Sequence, residues 1–116
     1  MKKIYYLKTC STCKRILDDL NLDGVQLINI KEESILEKDL DFAAKSVGSY
    51  EGLFSRRAMK YRSLGLNEKT LSEKDMKEWI LKEYTFLKRP MAIIDDEVFV
   101  GSTKKVVESL KNKLNG

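Results

Sequence analysis

Histidine is absent from the 116 residues. Its absence removes Ser-His-Asp and Cys-His catalysis, because no imidazole is present to act as base. Cysteine is scarce as well, with only Cys10 and Cys13. Two soft ligands fall short of the four that a structural zinc site takes from Cys and His, so no metal site is expected within one chain. No apolar run approaches the ~20 residues of a membrane-spanning helix, and Met1 to Thr9 lacks the apolar stretch and small-residue cleavage site of a secretory signal. The expectation is a cytoplasmic protein with no membrane partner. Charge of neither sign is concentrated: 22 basic residues are interleaved with 18 acidic ones, for a net charge of +4. Without a basic arm or stripe, direct nucleic-acid binding is not expected, whereas a locally positive pocket for a small oxyanion is compatible with this balance.

What is present fits one domain spanning residues 1–116, since 42% hydrophobic content can bury a single core without disulfide or metal support. Lys3 to Leu7 (KIYYL) reads as a buried strand that stops at the polar stretch Lys8 to Thr12. Cys13, Ile16, Leu17 and Leu20 then recur at helical spacing, with Ser11 or Thr12 as the N-cap and Asn21 to Gly24 as the stop. Val25 to Ile30 reads as a half-buried strand and completes a βαβ unit, the opening of a thioredoxin-like fold.

The middle of the chain changes to a helical insertion at about 35–86. Leu36, Leu40, Ala43, Ala44 and Val47 mark one helix ended by Gly48, a short segment follows around Ala58 to Leu64, and a third helix runs from Ser72 to about Glu83. Ser72 to Asp75 resembles a capping box, and Met76, Trp79 and Ile80 form that helix's apolar stripe. Met91 to Ile94 and Val98 to Val100 suit a tight hairpin around Asp95, Asp96 and Glu97, and Val106, Val107, Leu110 and Leu114 give a closing helix. The fold class expected is therefore α/β, a thioredoxin-like fold with a mixed four-stranded sheet and a helical insertion.

Cytosolic thiols are kept reduced, so the two cysteines read as catalytic or redox-sensing rather than as a structural bridge. Cys10 lies at a helix start, where unpaired N–H groups and the positive end of the dipole favour a thiolate. Lys8, Lys14 and Arg15 are expected to add positive potential. Cys13, one turn inside, either resolves an attack by Cys10 through disulfide formation or is simply a small apolar residue on the buried stripe. Pro90, the only proline, either stops the preceding helix or forms a cis-proline loop facing the cysteines. Arg56, Arg57 and Arg89 are candidates for binding an oxyanion through paired guanidinium hydrogen bonds, or are solvated surface charges.

Three separated motifs resemble the arsenate reductase/Spx family: Thr-Cys-Ser-Thr-Cys-Lys (Thr9 to Lys14), Phe-Ser-Arg-Arg (Phe54 to Arg57) with Tyr-Arg-Ser-Leu-Gly-Leu (Tyr61 to Leu66), and Leu-Lys-Arg-Pro-Met (Leu87 to Met91) with Val100 and Gly101. The resemblance covers nearly the whole chain in the same order. It implies Cys10 as the nucleophile, Arg57 and Arg89 as the family's functional arginines, and a cis bond before Pro90, with resolution left to Cys13 or an external thiol. With these arginines, Ser11, Thr12 and Lys14 of the cysteine loop are the residues expected to bind the oxyanion. The activity implied is attack of Cys10 on arsenate, with no bound cofactor and an external thiol donor, either glutathione/glutaredoxin or thioredoxin. Two departures stand out. The glutaredoxin-linked enzymes often carry one cysteine in the loop, whereas the Cys-X-X-Cys here is similar to Spx-type regulators, which bind RNA polymerase, and to some thioredoxin-linked relatives. A third arginine expected after the last strand is missing, with Ser102 near its position and Lys104 and Lys105 close by. The leading expectation is thus an arsenate reductase-like thiol oxidoreductase, the alternative is an Spx-like redox-sensing regulator, and a general thiol–disulfide exchanger stands third.

Overall fold

The computed structural model describes all 116 residues. In chain order the elements are β1 (Lys2–Tyr6), α1 (Ser11–Asp18), β2 (Gln26–Asn29), α2 (Glu37–Val47), α3 (Met59–Ser63), α4 (Glu73–Lys82), β3 (Met91–Ile94), β4 (Glu97–Val100) and α5 (Lys104–Asn115), with short 3-10 turns between α2 and β3. They fall into two compact units, one made of Met1–Glu33 with Arg89–Gly116 and the other of Ser34–Lys88.

The first unit holds one mixed sheet in the order β2-β1-β3-β4. β1 runs parallel to β2, as a strand pair joined by a helical crossover must, and antiparallel to β3, which pairs in turn with β4. The β-branched and aromatic run of β1 suits its central place, for Ile4 on one face and Tyr5 on the other are both sealed from solvent. β3 is buried along all four residues. Against the Ile4 face, Leu17 of α1 and Leu110 of α5 pack with Ala92 and Ile94, ringed by Tyr6, Leu20, Phe99 and Leu114. Full burial of one such leucine stabilises the fold by roughly 1.5–3 kcal/mol.

β2 is shorter than the span Val25 to Ile30 expected from sequence, and it is less regular in burial. Ile28 and Ile30 point into the core, whereas Leu27 stays 40% exposed. An edge strand needs only one covered face, so its other apolar residue remains outside. The hairpin between β3 and β4 closes through Asp95 and Asp96. Asp95 takes a left-handed conformation (φ 56°), which aspartate tolerates better than most residues. Its carboxylate meets the N-terminal ammonium at 3.2 Å, and its N–H donates to the Met1 carbonyl at 2.6 Å. The C-terminal ends of α1 and α5 are clasped by Asn115, whose side chain accepts from the Asn21 N–H and donates to the Asp19 carbonyl.

The second unit carries three helices. α2 ends at Gly48, whose left-handed conformation (φ 99°) lets its N–H reach back to the Ala44 carbonyl. α4 begins with the expected capping box, the Asp75 N–H donating to Ser72 Oγ and the Ser72 N–H to the Asp75 carboxylate. Lys77 of α4 bridges Glu37 (2.8 Å) and Asp41 (3.0 Å) of α2, and the Tyr50 hydroxyl donates to Asp41 as well. Met76 and Ile80 are buried, while Trp79 is half-buried with its ring edge-on to Phe86. Phe86 stacks on Phe54, and the Phe54 and Leu87 backbones form an antiparallel bridge. No helix is long and apolar enough to cross a membrane.

Candidate thiol site

The site is built where β1 runs out. A tight turn follows the strand, with the Cys10 N–H donating to the Leu7 carbonyl at 3.0 Å and the Lys8 N–H to Asn29 Oδ1 at 3.3 Å. Cys10 is still extended (φ −87°, ψ 112°), and α1 starts at the next residue. The cap is thus Cys10 itself, not Ser11 or Thr12: its sulfur accepts the Cys13 N–H at 3.5 Å. The physical reason is register. A cap side chain must accept from the second or third amide of the helix, and Ser11 and Thr12 already sit inside the first turn.

The two thiols differ in acidity. Burial alone pushes Cys10 up, but hydrogen bonds from the Cys13 amide, the Cys13 thiol and the Thr12 amide, with the positive charge of Arg89, outweigh it and bring the thiol below its ordinary value. Cys13 is sealed on the same face of α1 as Ile16 and Leu17. Burial drives its pKa up to about 11, assisted by contact with Cys10 and opposed by the Leu7 backbone and the Arg89 charge. Both cysteines are free thiols, each close enough to shift the acidity of the other. Cys13 is therefore at once a residue of the apolar face and a neighbour of the Cys10 sulfur.

Arg89 is half-buried, and the peptide joining it to the buried Pro90 is cis. The Pro90 carbonyl accepts the Gly101 N–H at 2.9 Å, which ties the start of β3 to the end of β4 where Gly101 turns with φ 95°. Cys10, Ser11, Thr12, Cys13, Lys14, Arg89 and Pro90 all belong to the first unit. Lys8, Lys14 and Arg15 were expected to supply the positive potential. All three are exposed, where water and salt screen them, and the charge that acts on Cys10 is that of Arg89. Spacing alone does not bring Arg89 to the thiol, which it reaches through the pairing of β1 with β3, but the expected proline loop facing the cysteines and the family resemblance both pointed there.

Arg57 belongs to the second unit, where it is exposed and makes no ion pair or hydrogen bond. Its neighbour Arg56 pairs with Glu51 at 2.9 Å and bonds to Tyr61, the arrangement of a solvated surface charge. Lys104 and Lys105 open α5 as exposed residues. Asn29 is a further residue of the thiol loop that sequence reading passed over. Its side chain accepts from Lys8 and Lys31, a role that a strand-end asparagine does not advertise.

A mixed four-stranded sheet with a thiol capping its first helix and a cis-proline opening β3 defines a thioredoxin-like protein. The profile of the ArsC family matches residues 5–110, and the chain belongs to that family. Among solved structures, an arsenate reductase from Vibrio cholerae superposes with a TM-score of 0.78 at 19% identity, covering 94% of this chain and 96% of that one. A putative arsenate reductase from Yersinia pestis gives 0.77 at 18% identity, covering 93% and 99%. A protein from Staphylococcus aureus gives 0.73 at 27% identity, covering 94% and 97%. At such identities the first two likenesses speak for the fold. No curated protein matches the sequence.

Proposed function

We propose that this protein is a thiol-dependent oxidoreductase that reduces an oxyanion of the arsenate type. The observation carrying this reading is Cys10, a thiol brought below its ordinary pKa by helix amides and by Arg89. A thiolate beside a guanidinium and the free N–H groups of a helix start matches the needs of attack on an anion, since nucleophile and charge neutralisation lie together. In the first step the Cys10 sulfur bonds to arsenic and an arsenate oxygen leaves as water. A second thiol then attacks the Cys10 sulfur, a disulfide forms, and the electron pair of the broken S–As bond reduces arsenic from the pentavalent to the trivalent state. Cys13 or an external thiol, glutathione/glutaredoxin or thioredoxin, supplies that second sulfur. The chemistry belongs in a reducing compartment such as the cytoplasm, where both thiols are kept reduced. The family resemblance adds Arg57 to the residues that serve the reaction.

The test is arsenate turnover with glutathione/glutaredoxin and with thioredoxin, run in parallel on the wild type and on Cys10→Ser. One donor is expected to support turnover that Cys10→Ser abolishes. Failure of the wild type with both donors refutes the reading, and binding to RNA polymerase is then the measurement of choice for the Spx-like alternative.

A further inference from the structure

Two free thiols in contact at the start of one helix are suited to a ligand as well as to a disulfide. We propose that Cys10 and Cys13, once both are reduced, together chelate trivalent arsenic and hold it until an outside thiol removes it. This rests on the reading above, which makes trivalent arsenic the product at this site.

The geometry favours a bridge of one atom. A disulfide requires the sulfurs to close to about 2.05 Å, whereas here both thiols are free and the Cys10 sulfur rests on the Cys13 amide at 3.5 Å. A single arsenic between them asks for much less movement of either side chain. Cys13 is fixed by the buried face of α1, and Cys10 by the turn and by its own cap contact. Both ligands are thus held in place before the ligand arrives, and soft thiolates are the donors that thiophilic centres prefer. Arg89 stands beside both sulfurs, where its charge favours their anionic, ligating form.

The exchange balances without any oxidant. Arsenous acid carries three hydroxyls. Cys10 and Cys13 each form an S–As bond, two As–O bonds break, and each departing hydroxide takes a thiol proton and leaves as water. Arsenic stays trivalent and keeps one hydroxyl, and neither sulfur changes oxidation state. Cys10 reacts first, being the partly exposed thiol. Cys13 follows within the complex, where the departing hydroxide removes its proton directly.

A second bond formed within the same molecule typically adds about 10²–10⁴ in affinity over either bond alone. The experiment titrates the reduced full chain with sodium arsenite and reads adducts by non-denaturing mass spectrometry under anaerobic conditions. A second titration uses phenylarsine oxide, which takes two thiols only. Wild type is expected to bind one arsenic, to protect both cysteines from alkylation, and to bind at least about a hundredfold more tightly than Cys13→Ser or Cys10→Ser. Circular dichroism of both variants verifies that the fold is intact. If either cysteine suffers in the core, the mass of the wild-type phenylarsine oxide adduct still decides the matter, because bonding to two thiols releases one water and bonding to one releases none. Equal affinity in wild type and Cys13→Ser, or alkylation of Cys13 at full arsenic occupancy, overturns the proposal. Arsenate turnover in the same preparation separates the two ideas: turnover without chelation removes this inference alone, and chelation without turnover removes the reductase reading while the dithiol site stands.

Discussion

The contrast between the two thiols sets a quantitative expectation for their reactivity. Cys13 titrates at about 11, so at pH 7 only about one molecule in ten thousand carries it as thiolate. A thiol of ordinary value, 9.0, is ionised about a hundred times more often, and Cys10 lies below that value. Because the thiolate is the reacting species, Cys10 should be alkylated at least about a hundredfold faster than Cys13 in the native protein, before burial of Cys13 is counted. The assay is iodoacetamide labelling across pH 6–10, resolved by peptide mass, on the wild type and on Cys10→Ser and Cys13→Ser. The rate at Cys10 should titrate with a midpoint below 9.0, while that at Cys13 should still be climbing at pH 10. Equal rates at the two positions in native protein, or a Cys10 midpoint at or above an ordinary thiol, refute the account of the cap.

The same contrast carries a sign for stability. A thiol raised on folding stays protonated where the unfolded chain has already ionised, so Cys13 costs stability as pH climbs from 9.0 towards about 11. Cys10 acts oppositely. Its lowered pKa contributes stability that is present in full above the ordinary thiol value and is lost as pH falls through the folded value.

Arg89→Lys should lower arsenate turnover by at least about tenfold, corresponding to ~1.4 kcal/mol of transition-state stabilisation, because the charge survives but the planar fork does not. Little change in kcat/KM, with the fold intact by circular dichroism, removes Arg89 from the reaction. The adjacent arginines should part company. Arg56→Ala should leave turnover within about twofold and stability within ~1 kcal/mol, because its exposed pair with Glu51 contributes little, whereas Arg57→Ala should reduce turnover; equal effects in the steady-state assay would show that the pairing of Arg56 does not distinguish them. Ser72→Ala removes the acceptor for the Asp75 amide and should cost about 1 kcal/mol, read as a lower urea midpoint. An unchanged midpoint means that the α4 start does not limit stability.

Features governed by neighbours in sequence were legible before the structure. The capping box at Ser72 and Asp75, the stop at Gly48 and the hairpin at Asp95 and Asp96 each follow from a local rule of backbone geometry, and each stands where the pattern puts it. β1 was legible as well, because a run of Ile and Tyr between polar residues has few other uses. Features set by distant partners were not. Leu27 looks as apolar as Ile28, and only its place on the edge strand leaves it outside. Composition and spacing do not tell Arg56 from Arg57; the family resemblance singled out Arg57, and the structure adds that Glu51 engages Arg56. The influence of Arg89 on Cys10 depends on β3 lying beside β1, which no window of neighbouring residues contains.

Cys10 illustrates why a general preference can mislead at a reactive position. Cap rankings favour Ser, Thr, Asp and Asn, which pointed to Ser11 or Thr12 and away from the sulfur. A neutral thiol is a weak acceptor, but a thiolate is a charged one, and hydrogen bonds to ionised groups are roughly twice as strong. The amide of Cys13 therefore both closes the helix start and lowers the pKa of the group it bonds. Structure and reactivity are here one interaction: whatever straightens or frays the first turn of α1 weakens the nucleophile. A serine at position 10 would cap α1 at least as well while abolishing the chemistry. On the proposed mechanism the sulfur stands there for the reaction, since the helix has no need of it.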